Sequence, residues 1–235
     1  MREKVLLKVT GTLLQDQKTK QLTRTYIDDL ARQIKQLETS YLFGIVVGGG
    51  AFFRGAQNNH DLRVRGAIAH TVGMFATVMS SMIFYDIFRE HDINTTLLCG
   101  FSCPLAGTSV SQYAIDQACA QHQVIIFGGG TGNPYMGTTD TCAVIRAKQL
   151  GAQQVWKATN VDGVYTADPH QNHQAKLLPV MTYQEALDKK LQFMDSTAIT
   201  LAQHEQLTTR VFNIFTQDAL IHAARDSQWG TTVRI

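Results

Sequence analysis

The sequence predicts a three-layer α/β/α sandwich with a mostly parallel central sheet. Short apolar runs alternate with amphipathic stretches along all 235 residues. Hydrophobic residues make up 44% of the chain and charged residues 17%, so a large core can form and global disorder is excluded. Regular alternation of strand and helix patterns is typical of a parallel sheet with helices on both faces.

The first half of the chain supplies the clearest elements. A strand over 5–8 ends at Lys8, and apolar residues at helical spacing predict a helix over 27–37. The run 41–47 is continuously apolar, as expected of a strand that is covered on both faces. The stretch 66–85 has no acid or base, but its hydroxyl groups and His70 make it too polar for a lipid-facing span. We therefore expect a helix buried in the core or in a subunit interface.

The second half continues the same alternation, with no repeat, low-complexity tract or clear linker. A chain of this length is expected to fold as a single domain, residues 1–235. The further predicted elements are strands near 94–99, 124–127, 155–157, 210–214 and 232–235, and helices near 111–122, 139–150, 182–189, 198–206 and 218–225.

Composition and charge exclude several classes of protein. The 21 basic and 19 acidic side chains give a formal net charge of +2, which does not support a nucleic-acid or membrane-surface binder. Four cysteines make no disulfide framework in a chain this long, and Cys99, Cys103 and His122 match no common zinc spacing. We expect reduced, buried thiols. The N-terminus lacks the apolar stretch of a signal peptide, so a soluble, cytoplasmic protein is expected.

Two glycine clusters, 48–50 and 128–132, directly follow apolar strands. Open α/β sheets bind ligands outside the carboxyl ends of their strands, where glycine lets backbone N–H groups approach a phosphate. Neither cluster has the Gly-Lys-Ser/Thr of a P-loop, and neither fits the dinucleotide-binding pattern. A plain tight turn explains each cluster equally well when it is taken alone.

Three cations accompany these loops. Lys8 closes the first strand and precedes Thr10, Arg54 lies four residues beyond Gly50, and Lys157 closes a later strand. Each could be a solvated charge at a strand end. Together, at the ligand-binding edge of one sheet, they would neutralise a triphosphate and its transferring group, which is most of what phosphoryl transfer requires.

Two carboxylates are candidates for the same site. Asp140 follows two threonines at a predicted helix start, and Asp195 lies among apolar and hydroxyl residues. Helix capping explains both positions too, and turn roles explain Asp162 and Asp168. Residue patterns alone therefore indicate a nucleotide- or phosphate-binding α/β enzyme and go no further.

Ordered motifs along the whole chain extend this interpretation. The chain resembles the bacterial UMP kinases of the amino acid kinase family over essentially its full length. The most specific segment is 157–169, which reads KATNVDGVYTADP. The other matching segments are 8–11, 46–50, 53–55, 73–79, 129–135, 138–140, 194–195 and 210–213.

The resemblance implies an activity and a fold. The activity is direct in-line transfer of the γ-phosphate of ATP to UMP, with Mg²⁺ accompanying ATP and no covalent intermediate. The fold is that of amino acid and carbamate kinases, with the acceptor side mainly in 1–150 and the ATP side mainly in 151–235. A cytoplasmic homohexamer with GTP and UTP as effectors is implied too. A kinase with another acceptor, or a non-catalytic nucleotide-binding protein of storage or regulatory role, remains the alternative.

The resemblance also implies residue roles, carried over by position. The catalytic residues would be Lys8, Asp140, Lys157 and Asp195, and no set of protein ligands for a metal is assigned. ATP would be bound by Lys8, Val9, Thr10, Gly11, Gly50, Arg54, Thr159, Tyr165 and Asp168. UMP would be bound by Gly49, His70, Thr131, Gly132, Asn133, Pro134, Tyr135, Met136, Gly137, Thr138 and Thr139.

This chain departs from the family pattern mainly on the acceptor side. UMP kinases usually carry an aspartate at the position of His70, where it contacts the nucleoside of UMP. A neutral histidine cannot supply a fixed negative acceptor, so we expect UMP binding with weaker ribose discrimination. Gly137 adds one residue to the acceptor loop. Thr10 replaces a serine, and Thr12 stands where an acidic residue is common.

Overall fold

The structure is a computed structural model that describes residues 2–53, 63–135, 138–169, 171–172 and 174–235. The strands are β1 Glu3–Val9, β2 Tyr41–Val47, β3 Thr95–Cys99, β4 Thr108–Ser109, β5 Val124–Gly128, β6 Gln154–Thr159, β7 Val164–Tyr165, β8 Leu177–Leu178, β9 Val180–Thr182, β10 Thr208–Asn213 and β11 Thr231–Arg234. The helices are α1 Thr25–Leu37, α2 Gly66–Glu90, α3 Gln112–Ala120, α4 Thr139–Leu150, α5 Tyr183–Asp188, α6 Ser196–His204 and α7 Ala219–Arg225, with a 3₁₀ helix over Gly11–Leu14.

Nine of these strands form one sheet in the order β4-β3-β5-β2-β1-β6-β10-β11-β9. Neighbouring strands are parallel except β10 and β11, and β7 and β8 form a separate antiparallel hairpin. The central strand β1 lies between β2 and β6, so its carboxyl end lies in the middle of the ligand-binding edge. The predicted mostly parallel α/β sandwich is confirmed.

Side-chain alternation on β1 divides the core into two layers. Val5, Leu7 and Val9 pack in one cluster with residues of α1, α2 and α7. Leu6 packs in the other cluster, with residues of α3, α4, α5 and α6. Because successive side chains of a strand point to opposite faces, Lys8 shares the face of Leu6 and points toward the α4 layer.

Helix α2 extends five residues beyond the predicted end at residue 85. Its buried side includes Phe84 and Phe88, which are fully enclosed beneath the sheet. The opposite side exposes an apolar stripe at helical spacing, formed by Ile68, Val72, Phe75, Met79 and Met82. Within the described residues α2 is the one helix long and apolar enough to cross a membrane by length and composition alone, and 39% of its most apolar window is buried.

Candidate active site

Two lysines lie side by side at the carboxyl edge of the sheet. Lys8 of β1 is directly opposite Lys157 of β6 in the parallel register, and both lie on the α4 face. Asp140, in the first turn of α4, lies between them. Its Oδ1 accepts from Lys8 Nζ at 2.9 Å and from Lys157 Nζ at 2.7 Å, and its Oδ2 accepts from Lys157 Nζ at 2.6 Å. The three side chains are 14%, 10% and 13% exposed, in the order Lys8, Lys157, Asp140.

The start of α4 places Asp140 there. The helix is capped by Thr138, whose hydroxyl accepts from the backbone N–H of Asp140 at 3.0 Å. The capping interpretation of Asp140 is therefore wrong: Asp140 occupies the first turn, where a carboxylate is favoured by the helix dipole. Its side chain is free to turn toward the two lysines.

The lysine–aspartate cluster shifts the pKa of its members. Burial would raise the pKa of Asp140, but the charges of Lys8 and Lys157 outweigh burial and lower that pKa to about 2. Burial and the charge of Lys8 lower the pKa of Lys157 to about 8, against the raising effect of Asp140. With both lysines protonated, the cluster carries one uncompensated positive charge facing the edge of the sheet.

Asp195 connects α4 to α6. Its carboxylate accepts from the hydroxyls of Thr138 at 2.6 Å and Thr141 at 3.0 Å, and caps α6 by accepting from Ala198 N–H at 2.9 Å. The capping interpretation of Asp195 is confirmed. In the part of the chain that the structure describes, its hydrogen-bond partners are hydroxyls and an amide, and no lysine is paired with it.

A cavity of about 1080 Å³ opens on one side of this cluster. Lys157, Asp140 and Asp195 lie in its wall, and the segment after β6 forms much of the remainder. The lining includes the sequence-predicted Thr159, Tyr165 and Asp168. It also includes 189–193, a stretch with no recognisable motif.

A second cavity, of about 380 Å³, lies on the other side. Thr138 and Thr139 line both cavities, so the two spaces meet at the start of α4, beside Asp140. The lining of the smaller cavity consists of Gly49, Phe53, Gly66, Ala69, His70, Gly73, Met74, Thr77, Gly130, Thr131, Asn133, Pro134, Thr138 and Thr139.

The loop after β5 forms one wall of the smaller cavity and needs glycine. Gly129, Gly130 and Gly132 have φ of 75°, 58° and 81°, in the left-handed region. A Cβ on Gly132 would lie 2.0 Å from the carbonyl oxygen of Gly100. Thr77, one of the hydroxyl residues of helix α2 and not among the predicted site residues, accepts from Gly129 N–H at 3.0 Å and donates to Met74 O at 2.7 Å. A hydroxyl side chain within an apolar helix pattern is the feature of the sequence that could have indicated this hydrogen-bonding role of Thr77.

The remaining predicted residues fall into three groups. The ring centroid of His70 lies 4.8 Å from that of Tyr135. Tyr135 and Gly132 belong to the loop after β5, but neither lines the smaller cavity. Backbone hydrogen bonds tie the end of β1 to its two neighbours: Thr10 N–H donates to Ala158 O of β6 at 3.2 Å, and Gly48 N–H, after β2, donates to Val9 O at 3.0 Å. Val9, Thr10, Gly11 and Gly50 lie there, beside the cluster and outside the lining of both cavities. Arg54, Met136 and Gly137 lie outside the described residues.

The site offers few free ligands to a metal ion. Both oxygens of Asp140 already accept from lysines, and both oxygens of Asp195 accept from threonine hydroxyls. Among the described residues, no group of three or more His, Cys, Asp and Glu side chains could hold a metal ion. A cation here would depend on oxygens supplied by a bound phosphate.

Comparison with known proteins finds similarity over nearly the whole chain. A uridylate kinase of Mycoplasma pneumoniae is 40% identical over 225 residues, 95% of each chain, and one of Haemophilus influenzae is 36% identical over 98% of this chain and 97% of its own. The crystal structure of UMP kinase from Ureaplasma parvum is similar with a TM-score of 0.94 at 31% identity, with 100% of both chains covered. The amino acid kinase family matches residues 3–213, and the chain belongs to that family.

Proposed function

We propose that the chain is a UMP kinase, which transfers the γ-phosphate of ATP to UMP and releases UDP and ADP. The observation that carries the proposal is the position of the Lys8–Asp140–Lys157 cluster. Asp140 and Lys157 line the larger cavity next to Thr138 and Thr139, which border both cavities, while Lys8 lines neither and is held to the cluster by its ion pair with Asp140. The relatives named above, uridylate and UMP kinases, support the same activity. Its product would enter pyrimidine nucleotide synthesis.

The larger cavity is the proposed ATP site. Its lining comes mostly from 151–235, the part of the chain expected to form the ATP side. Thr159, Tyr165 and Asp168 would surround the adenine and ribose. The triphosphate would extend toward Lys157 and Lys8 and the glycine loops after β1 and β2, with Val9, Thr10, Gly11, Gly50 and Arg54 completing the phosphate path.

The smaller cavity is the proposed UMP site, and its lining comes entirely from residues before 150. The side-chain amide of Asn133 and the hydroxyl of Thr139 offer donors to the uracil and the phosphate. The hydroxyls of Thr131 and Thr138 already donate, to Asn133 O and to Asp195. Thr138 and Thr139 border both cavities, so an acceptor phosphate near them would face the γ-phosphate of ATP. Gly49, His70, Gly132, Pro134 and Tyr135 would complete the acceptor site, with Met136 and Gly137.

Catalysis would come from positioning and charge. A phosphate oxygen of UMP attacks the γ-phosphorus of ATP as the bond to the β–γ bridging oxygen breaks, and ADP leaves. Lys8 and Lys157 neutralise the negative charge on the transferring group, and Asp140 holds both ammonium groups in place. Asp195 fixes the start of α4 through Thr138 and Thr141.

Mg²⁺ is the proposed cation, bound with ATP. When bound, it would neutralise phosphate charge at the transferring group. Because Asp140 and Asp195 are already hydrogen-bonded, the nucleotide phosphates and water would supply most of its ligands, the arrangement common for this ion.

The assembly is proposed to be a cytoplasmic homohexamer with GTP and UTP as effectors. The exposed apolar stripe of α2 supports self-association, because five large apolar side chains on one helix face favour burial against a partner. No nucleic acid or membrane is expected among the partners, since the formal net charge is only +2.

The test is Mg·ATP-dependent ADP release with UMP, dUMP and CMP offered in parallel. Turnover with UMP well above CMP is the expected result. ATP binding without turnover on any of the three would refute the proposed function, and would favour another acceptor or a non-catalytic role.

A further inference from the structure

Arg146 is a buried guanidinium directly behind the acceptor loop. It lies on α4 and is 4% exposed. Its Nη2 donates to the carbonyl oxygen of Gly130 at 3.3 Å, and its Nη1 donates to Gln149 Oε1 at 2.5 Å. The guanidinium carbon lies 5.7 Å from the ring centroid of Phe127. The contact to Gly130 joins this side chain to the wall of the smaller cavity.

The charge of Arg146 has no counterion in the described part of the chain. None of the ion pairs found there includes Arg146, and its buried Nε has no hydrogen-bond partner. A buried cation without a carboxylate is unfavourable for stability, so an apolar side chain of similar volume would serve the core at least as well. The position therefore points to a role beyond packing.

We propose that Arg146 is a positioning residue for the acceptor, which holds the Gly130 carbonyl so that the loop 128–132 keeps the shape of the acceptor wall. This inference rests on the proposed function. Gly130 has φ of 58°, and Thr77 and Gly100 hold the neighbouring residues of the loop through Gly129 N–H and Gly128 O. Arg146 supplies the third point of attachment, on the side of α4.

Helix α4 thereby links the transfer site to the acceptor loop. Asp140 holds the two lysines at its first turn, and Arg146 holds Gly130 six residues later. Six residues of α-helix span about 9 Å along the axis. A rigid helix fixes the distance between the Lys8–Asp140–Lys157 cluster and the wall of the smaller cavity, and in-line transfer requires that distance to be constant.

Arg210 provides a matched control because it has the same chemistry away from both cavities. It is 6% exposed, and its guanidinium carbon lies 5.7 Å from the Trp156 ring centroid. It donates to backbone carbonyls of Ala223, Asp226 and Trp229, and its Nε also has no partner among the described residues. A purely structural role of a buried arginine should produce the same effects at both positions.

The experiment compares Arg146→Met, Arg146→Lys and Arg210→Met with the unchanged protein. Three quantities are measured: KM for UMP, Kd for Mg·ATP, and amide hydrogen exchange of residues 128–135. For Arg146→Met we expect KM for UMP to rise at least tenfold, Kd for Mg·ATP to stay within twofold, and exchange in the loop to accelerate. Arg146→Lys keeps a hydrogen-bond donor, so its KM for UMP should lie between those of Arg146→Met and the unchanged protein. Arg210→Met should lower the Tm and leave KM and loop exchange within twofold.

Unchanged amide hydrogen exchange of residues 128–135 in both Arg146 variants would overturn the inference, and this result does not depend on which acceptor the enzyme uses. The same holds if Arg210→Met shifts KM and loop exchange as much as Arg146→Met does. If the unchanged protein has no activity with UMP, the proposed function fails, and loop exchange in the Arg146 variants still decides the positioning role.

Discussion

Lys157 donates to both carboxylate oxygens of Asp140, at 2.7 and 2.6 Å, while Asp140 also accepts from Lys8. One carboxylate therefore holds two neighbouring ammonium groups that would otherwise repel each other at the centre of the sheet. Both lysines keep their remaining N–H donors for a ligand. Below about pH 8 the net charge of the cluster is positive, so it can attract an anion.

Replacing Lys8 with alanine should abolish turnover and preserve the fold. The change removes one of the two cations at the proposed position of the transferring phosphate, and Asp140 keeps its two hydrogen bonds to Lys157. We expect the kcat with UMP to fall by about a thousandfold, in the range seen when one electrostatic stabiliser is removed. Lys35→Ala, at an exposed lysine of α1, is the control and should keep full activity. Full activity in Lys8→Ala would contradict the proposed role of Lys8 in binding the transferring phosphate, and circular dichroism would show whether the fold is kept.

The pH profile of kcat/KM should fall above about pH 8. The pKa of Lys157 is lowered to about 8, so its charge is present below that pH and is lost as the pH rises through it. The free enzyme's groups govern kcat/KM, which makes this quantity the one to measure. Lys157→Arg keeps the charge at all of these pH values and should lose the alkaline decline. A decline that persists unchanged in the arginine variant would assign it to another group.

Low pH should lower the free energy of unfolding, in part because Asp140 becomes protonated. The pKa of Asp140 is about 2 when folded, against an ordinary value of 3.8. The unfolded chain thus binds the proton first, and stability falls as the pH falls from about 5 toward 2, by about 2 kcal/mol from this group. Urea unfolding across this range should show a smaller pH-dependent loss in Asp140→Asn. An equal loss in both proteins would mean that Asp140 does not carry the effect.

The sequence predicted the sheet and the edge of the site because both leave periodic or local signals. Apolar runs that end in lysine locate Lys8 and Lys157 near strand ends, and the alternation of strand and helix predicts the parallel sheet, which is confirmed. The strands β4, β7, β8 and β9 were missed, since two or three residues are too few to show a period. The five extra residues of α2 were missed because the prediction stopped before its first acid, Asp86.

Contacts between distant segments were harder to predict. The sequence places Asp140 near a helix start, but the choice between cap and first turn depends on which threonine hydroxyl faces its N–H. Arg146 looks like any arginine on an amphipathic helix, and only the packed structure brings it to Gly130, sixteen residues earlier. The ligand-binding roles of all the predicted site residues stay predictions, and Arg54, Met136 and Gly137 lie outside the described residues.

Gly132→Ala should destabilise the loop after β5 by more than the strain of a positive φ alone would. A Cβ there would lie 2.0 Å from Gly100 O, in addition to the strain of φ at 81°. Gly151 has a similar φ of 77°, but its nearest neighbour would be a flexible lysine end at 3.8 Å. We expect Gly151→Ala to lower the free energy of unfolding by about 1 kcal/mol and Gly132→Ala to lower it clearly more. Only Gly132→Ala should raise the KM for UMP. Equal losses in urea unfolding would exclude the close approach as the cause.

His70→Asp should sharpen the choice between UMP and dUMP. His70 lines the smaller cavity, the proposed UMP site, and its ring lies against that of Tyr135. A neutral imidazole offers one donor and one acceptor. A carboxylate accepts charge-assisted hydrogen bonds, which are about twice as strong, so it can hold a ribose hydroxyl that dUMP lacks. We expect the ratio of kcat/KM for UMP over dUMP to rise about tenfold, with the exposed His122→Asp as a control that leaves it unchanged. An unchanged ratio in His70→Asp would mean that another group recognises the sugar, and would leave His70 as part of the aromatic contact with Tyr135.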